Sequence, residues 1–185
     1  MNNVLTGRRG RKRRAARTGG GVFSAFAMVV GLVAVSYYGI VAMGTGDLLW
    51  FRTNFDAQPR HVVIHDRGIR TDISPTDPRF APLVDAFNRS IEQGYHRASL
   101  GFSPPTWERS EQVGLMVETH YAEPVRLHGD FEPTMRMRIL IDADRIRTTR
   151  LLFRSHADAW DPSFPIQLHD LEPLEQVVHQ YGFGQ

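Results

Sequence analysis

The chain has 185 residues, no cysteine and a net charge of +2. The missing thiols exclude disulfides, thiolate-held iron–sulfur clusters, cysteine zinc sites and thiol nucleophiles. Residues 1–46 carry seven bases and no acid, while 47–185 carry 15 arginines against 20 acids, so the folded part is mildly acidic and the charge of the whole chain is no argument for nucleic-acid binding.

Lys12 is the only lysine, which removes lysine chemistry from everything that follows it. Arginine used in place of lysine fits a GC-rich, bacterial genome. The sequence divides into a basic tail (1–21), an apolar run (22–43), a juxtamembrane connector (44–60) and an α+β domain (61–185).

In the tail, GRRGRKRRAAR places Arg13, Arg14 and Arg17 immediately before the apolar run. Each such base attracts anionic lipid headgroups by about 1 kcal/mol. No aromatic residue interleaves with them, so a stacking platform for single-stranded nucleic acid is missing and nucleic acid is a disfavoured partner.

Val22–Met43 reads VFSAFAMVVGLVAVSYYGIVAM, 22 residues without a charge. As a helix it spans about 33 Å, close to the roughly 30 Å of a bilayer's hydrocarbon core. Bases on its N-terminal side predict a cytoplasmic N-terminus and an extracytoplasmic C-terminal domain. A cleaved leader fits less well, since its apolar region is shorter and Ala42-Met43-Gly44 is a poor cleavage site. The Arg8-Arg9 pair is diluted among other bases, and a transit peptide would be richer in serine. Ala27 and Gly31 form a small-xxx-small pair that lets a second helix approach. Tyr37, Tyr38, Trp50 and Phe51 suit the headgroup region.

The connector ends at Arg60. His61 to Ile64 is rich in β-branched residues, and Asp66-Arg67-Gly68 supplies a turn before Ile69 to Ile73, which predicts a hairpin. Asp77 before Pro78 is a helix start. Phe80, Leu83, Val84, Phe87 and Ile91 then share one helical face up to Gly94. Tyr95 to Pro105 reads as loop, and Thr106 caps a short helix ending near Gly114. Leu115, Val117, Thr119 and Tyr121 form one side of a strand. Met135, Met137, Ile139 and Ile141 alternate with Arg136 and Arg138, a half-buried strand that turns at Asp142-Ala143-Asp144 into Ile146 to Phe153. An aromatic loop follows from Ser155 to His169, and Asp170 caps a closing helix. The expected order after the span is ββα(α)βββα: a mainly antiparallel sheet with helices packed on one face.

The chemistry legible in the sequence is sparse. His61 and His65 lie four residues apart on one strand, about 13 Å between Cα atoms, too far to share an ion held at about 2.0–2.1 Å. His128-Gly129-Asp130 and His156-Ala157-Asp158 have no recognised metal spacing. Ser155, His156 and Asp158 have the residue types of a triad but no nucleophile elbow, and glycine-rich phosphate loops are absent. No catalytic residue, cofactor or metal ligand is therefore assigned.

The expectation is a single-pass membrane protein with a non-catalytic interaction domain, an accessory or assembly subunit whose partners are membrane lipid and other membrane proteins. One alternative is an extracytoplasmic sensor that holds a small anion on Arg136, Arg138, Arg147 and Arg150. A second is a membrane-anchored hydrolase whose site is scattered in sequence.

Overall fold

A computed structural model describes residues 20–45, 54–99, 101–128, 131–142, 150–156 and 159–185. The chain forms two compact units, 1–44 and 45–185. Within the first, helix α1 (Gly20–Thr45) covers the apolar run. Its side chains are apolar on every side, so it has no polar face to turn to water. Phe23, Met28, Leu32, Val35 and Ile40 are each at least two-thirds exposed. Phe23–Gly44 is long and apolar enough to cross a membrane, although a signal sequence meets the same test of length and composition.

The second unit is α+β, with strands β1 (His61–Asp66), β2 (Ile69–Ile73), β3 (Tyr95–Arg97), β4 (Leu115–Val125), β5 (Thr134–Asp142), β6 (Leu151–His156), β7 (Ala159–Trp160) and β8 (Ile166–Leu168). Helices α2 (Phe80–Glu92), α3 (Pro104–Val113) and α4 (Glu172–Gln180) complete it. The strands form one sheet in the order β2-β1-β4-β5-β6-β8-β3, with β7 paired to β6. Every pairing is antiparallel.

Local chemistry explains the turns and caps. Asp66 pairs with Ile69 across a two-residue loop, and Arg67 and Gly68 both take positive φ, the geometry that matches strand twist. Helix α2 begins at Phe80 rather than Pro78, because the Asp77 carboxylate accepts the Arg79 backbone N–H at 2.9 Å and fixes a turn first. Gly94, at φ 104°, ends that element. Asp170 accepts the Glu172 N–H at the start of α4.

Helices α2 and α4 pack against one sheet face. There Val62, Ile64, Leu83, Phe87, Val117, Ile139, Leu152 and Leu174 are all essentially solvent-free. Each such side chain contributes about 1.5–3 kcal/mol by leaving water. The opposite face carries a second cluster, Trp107, Met116, Leu140, Leu151 and Phe153. Trp107 of α3 meets the Phe153 ring edge-on at 4.8 Å.

Three features depart from the expected layout. The segments read as loop at Tyr95 to Pro105 and Ser155 to His169 contain β3, β7 and β8, strands of two or three residues, too short to show a period-two signature. The third helix and the indole rings cover the face opposite α2 and α4, so helices do not lie on one face alone. Consequently Arg138, which alternation assigned to a solvated face, is 5% exposed.

Candidate functional site

Pairing register builds a polar cluster on the α3 side of the sheet. His61 lies opposite His120 and His65 opposite Met116 across β1 and β4, while Glu118 lies opposite Arg138 across β4 and β5. Because side chains alternate, His61, His65, Glu118, His120 and Arg138 all project to the same face.

Glu118 is the centre of this group. Its Oε2 accepts from Arg138 Nη2 at 2.7 Å and from Nε at 3.0 Å. His65 Nε2 sits 3.0 Å from the same oxygen, donating when its proton is on that nitrogen. His120 Nε2 is 2.6 Å from Oε1, in ion-pair range but not aligned as a hydrogen bond. The His61 and His120 rings stack at 4.2 Å. Arg138 also donates from Nη1 to Glu111 of α3 at 2.6 Å, and its guanidinium lies 4.4 Å from the Trp160 ring centroid and 5.3 Å from that of Trp107.

Opposing influences set the protonation states. Burial pushes the Glu118 carboxyl up, but the His65 hydrogen bond and the Arg138 charge outweigh it and hold the group at about 2. For His120, burial lowers the imidazole below its ordinary value and the adjacent His61 adds to this, against the pull of Glu118. The result is a carboxylate kept ionised down to low pH beside the Arg138 guanidinium and flanked by imidazoles about one-fifth exposed.

A second centre lies on the α2 and α4 side of the sheet, at the β3 end. Arg97 of β3 and Arg154 of β6 both reach over Phe131, with guanidinium carbons 5.4 and 5.1 Å from the ring centroid. With Ala98, Phe164 and Pro165 they line a cleft of about 60 Å³. Arg154 Nη1 donates to the Glu132 carbonyl at 3.1 Å. Its Nε is buried without a hydrogen-bond acceptor among the described residues. Burial lowers the Arg154 pKa and Arg97 lowers it further, more than the nearby Glu132 and Asp161 charges restore.

Of the four arginines assigned to anion binding, Arg138 is paired with Glu118 and Glu111. Arg136 lies over Trp160 at 5.2 Å. Arg150, at φ 69°, donates to the His169 carbonyl at 3.1 Å. Arg147 lies outside the described residues, as do Arg13, Arg14, Arg17, Trp50 and Phe51. Arg136 and Arg138 thus share the Trp160 ring, while Arg150 bonds to the segment after β8. Ala27 and Gly31 sit on α1, with open space beside Gly31. Tyr37 and Tyr38 lie on the same helix, 61% and 37% exposed.

His61 and His65 stay apart along β1, yet strand β4 joins them through His120 and Glu118. Among the described residues no group of three or more His, Asp or Glu side chains is arranged to hold a metal ion. Glu118, His120, Arg97 and Arg154 were not singled out from sequence. For the first two a signal existed, since Met116, Glu118 and His120 alternate with the apolar positions of β4. No family model, curated protein or solved structure matches the chain.

Proposed function

We propose that α1 anchors this chain in a membrane as a single span, with the basic tail cytoplasmic and the α+β domain extracytoplasmic. The domain is a non-catalytic interaction module, an accessory or assembly subunit of a membrane protein complex. One observation carries this: α1 is apolar all round and its side chains are exposed, so only lipid or another protein can solvate it. The charge asymmetry across the helix supports the orientation. The polar centre around Glu118 supports a non-catalytic domain, because its charges are spent on one another.

Membrane fractions of cells expressing the full chain with a C-terminal tag provide the test. The tag is expected to resist alkaline carbonate extraction, to be cut by protease added to the outer face, and to crosslink to other membrane proteins after mild-detergent purification. Release of a shortened soluble domain would identify α1 as a cleaved leader. A protein recovered repeatedly alone would overturn the interaction role.

A further inference from the structure

We propose that a second copy of this chain pairs with the free edge of β2, antiparallel and with Thr71 on the two-fold axis, so that the two sheets join into one. Strand β2 ends the sheet, and among the described residues no backbone hydrogen bond reaches its outer side. The two-residue loop sets which groups point there. Asp66 and Ile69 flank that loop as a hydrogen-bonded pair, so Ile69, Thr71 and Ile73 bond to β1, whereas Arg70 and Asp72 turn their N–H and C=O groups outward. A second antiparallel strand must meet those groups with outward groups of its own. That leaves three symmetric registers within the strand: Arg70 opposite Arg70, Asp72 opposite Asp72, or Arg70 opposite Asp72.

Charge selects among them. Ile69-Arg70-Thr71-Asp72-Ile73 matches itself in reverse with the signs exchanged: about Thr71, each Arg70 faces the other copy's Asp72, and each Ile69 faces Ile73. The other two registers set like charges directly opposite, which is destabilising. Arg70 and Asp72 are 58% and 60% exposed and lie 2.9 Å apart within their own strand, so pairing adds a second opposite charge to each and takes none away. Ile69, 70% exposed, gains an apolar neighbour. Edge strands are commonly blunted by lysines, which repel a copy, whereas this edge exposes one charge of each sign at matched positions. Five residues make a small contact. Two copies held in one membrane by α1 meet at the raised local concentration that a small contact needs, so the strength of the dimer, though not its register, rests on the anchoring proposed above.

The chain has no cysteine, so Thr71→Cys introduces a single thiol per copy. Opposite residues of a non-hydrogen-bonded pair lie about 4.5 Å apart between Cα atoms, within the roughly 4.4–6.8 Å that a disulfide spans. Mild oxidation of full-length Thr71→Cys in lipid vesicles is expected to give a covalent dimer. Ser74→Cys, exposed just beyond the strand but about 20 Å from its counterpart in this register, should stay uncrosslinked. In micelles of an uncharged detergent, sedimentation should show the dimer weakened at least about tenfold in Arg70→Asp and in Asp72→Arg, with both melting as the wild type does. An equimolar mixture of the two variants should associate like the wild type, because every carboxylate then faces an arginine. No crosslink at Thr71, or a dimer that ignores both charge reversals, would overturn the proposal, the latter by moving the contact elsewhere, as to Ala27 and Gly31. A Thr71 crosslink to a different protein would give the edge to a foreign strand and overturn it as well. A chain that stays single in vesicles yet crosslinks to other membrane proteins in cells would sink the dimer and leave the interaction role standing. A chain released from membranes whose Thr71→Cys variant still dimerises would do the reverse, removing the anchor and keeping the paired edge.

Discussion

Glu118 and Arg138 are the buried pair at the centre of the cluster, with Glu111 also holding Arg138 and His65 also holding Glu118. Removing either leaves the other only partly matched, at a cost of up to about 3–5 kcal/mol, whereas replacing both with apolar residues of similar size is closer to neutral. Glu118→Gln and Arg138→Met are therefore each expected to lower the thermal midpoint of the full chain in detergent markedly. The double variant Glu118→Leu/Arg138→Met should recover most of the loss. A double-mutant cycle followed by circular dichroism measures the coupling, and simple additivity would contradict the pairing. The pH dependence has a definite sign. Glu118 is held at about 2 in the folded protein against about 4.5 ordinarily, so its contribution is complete above about pH 4.5 and disappears as pH falls towards 2. That contribution is about 3 kcal/mol. The depressed His120 acts in the same direction over a higher window: its neutral form favours the fold above about pH 6.5, and stability declines as pH drops below that value. Melting curves recorded from pH 7 down should fall in two stages. Glu118→Gln should flatten the lower stage, and His120→Gln the upper one.

The joints between α3, β4 and β5 show how closely the backbone packs behind this cluster. Gly114 follows α3 in extended conformation, and its N–H donates to the Ser110 carbonyl at 2.8 Å. A Cβ at this position would press on the Ser110 carbonyl oxygen and come within 3.0 Å of that of Asp142. Gly114→Ala is expected to cost about 1–3 kcal/mol through overpacking, read as a lower denaturation midpoint. An unchanged midpoint would mean that α3 shifts freely. The glycine was legible as a helix stop, but its second role, admitting the β5 backbone, was not. Helix α2 and strands β1, β4 and β5 were readable because each is long enough to repeat its own period. The short strands β3, β7 and β8 form because a longer neighbour offers unpaired backbone groups, a circumstance that three residues cannot announce. Arg138 shows the same limit in a side chain. Its alternation correctly placed it opposite Met137 and Ile139, but a helix from elsewhere in the chain covers that face and brings Glu111 and Trp107 to it.

The proposed membrane residence, by contrast, rests on α1 itself and on the basic tail before it. A charged residue at the centre of a spanning helix costs about 2.5–3.5 kcal/mol of insertion free energy. Val33→Arg, at a position 62% exposed, should move a measurable share of the protein out of the carbonate-resistant membrane fraction, and Val33→Leu should not. Identical fractionation of the two variants would contradict insertion of this helix. Hydropathy and charge asymmetry are local sums over neighbouring residues, so the sequence by itself determined that an uninterrupted apolar helix follows a basic tail and precedes an α+β domain. The candidate centres have a different origin. Glu118 meets His65 and Arg138, and Arg97 meets Arg154, only because strands distant in sequence are brought into register. Cross-strand pairing depends on backbone hydrogen bonds and on the cores packed behind the sheet, and no short stretch of sequence encodes those. Tertiary structure alone therefore decided which charges were neutralised and which buried donor was left without an acceptor among the described residues.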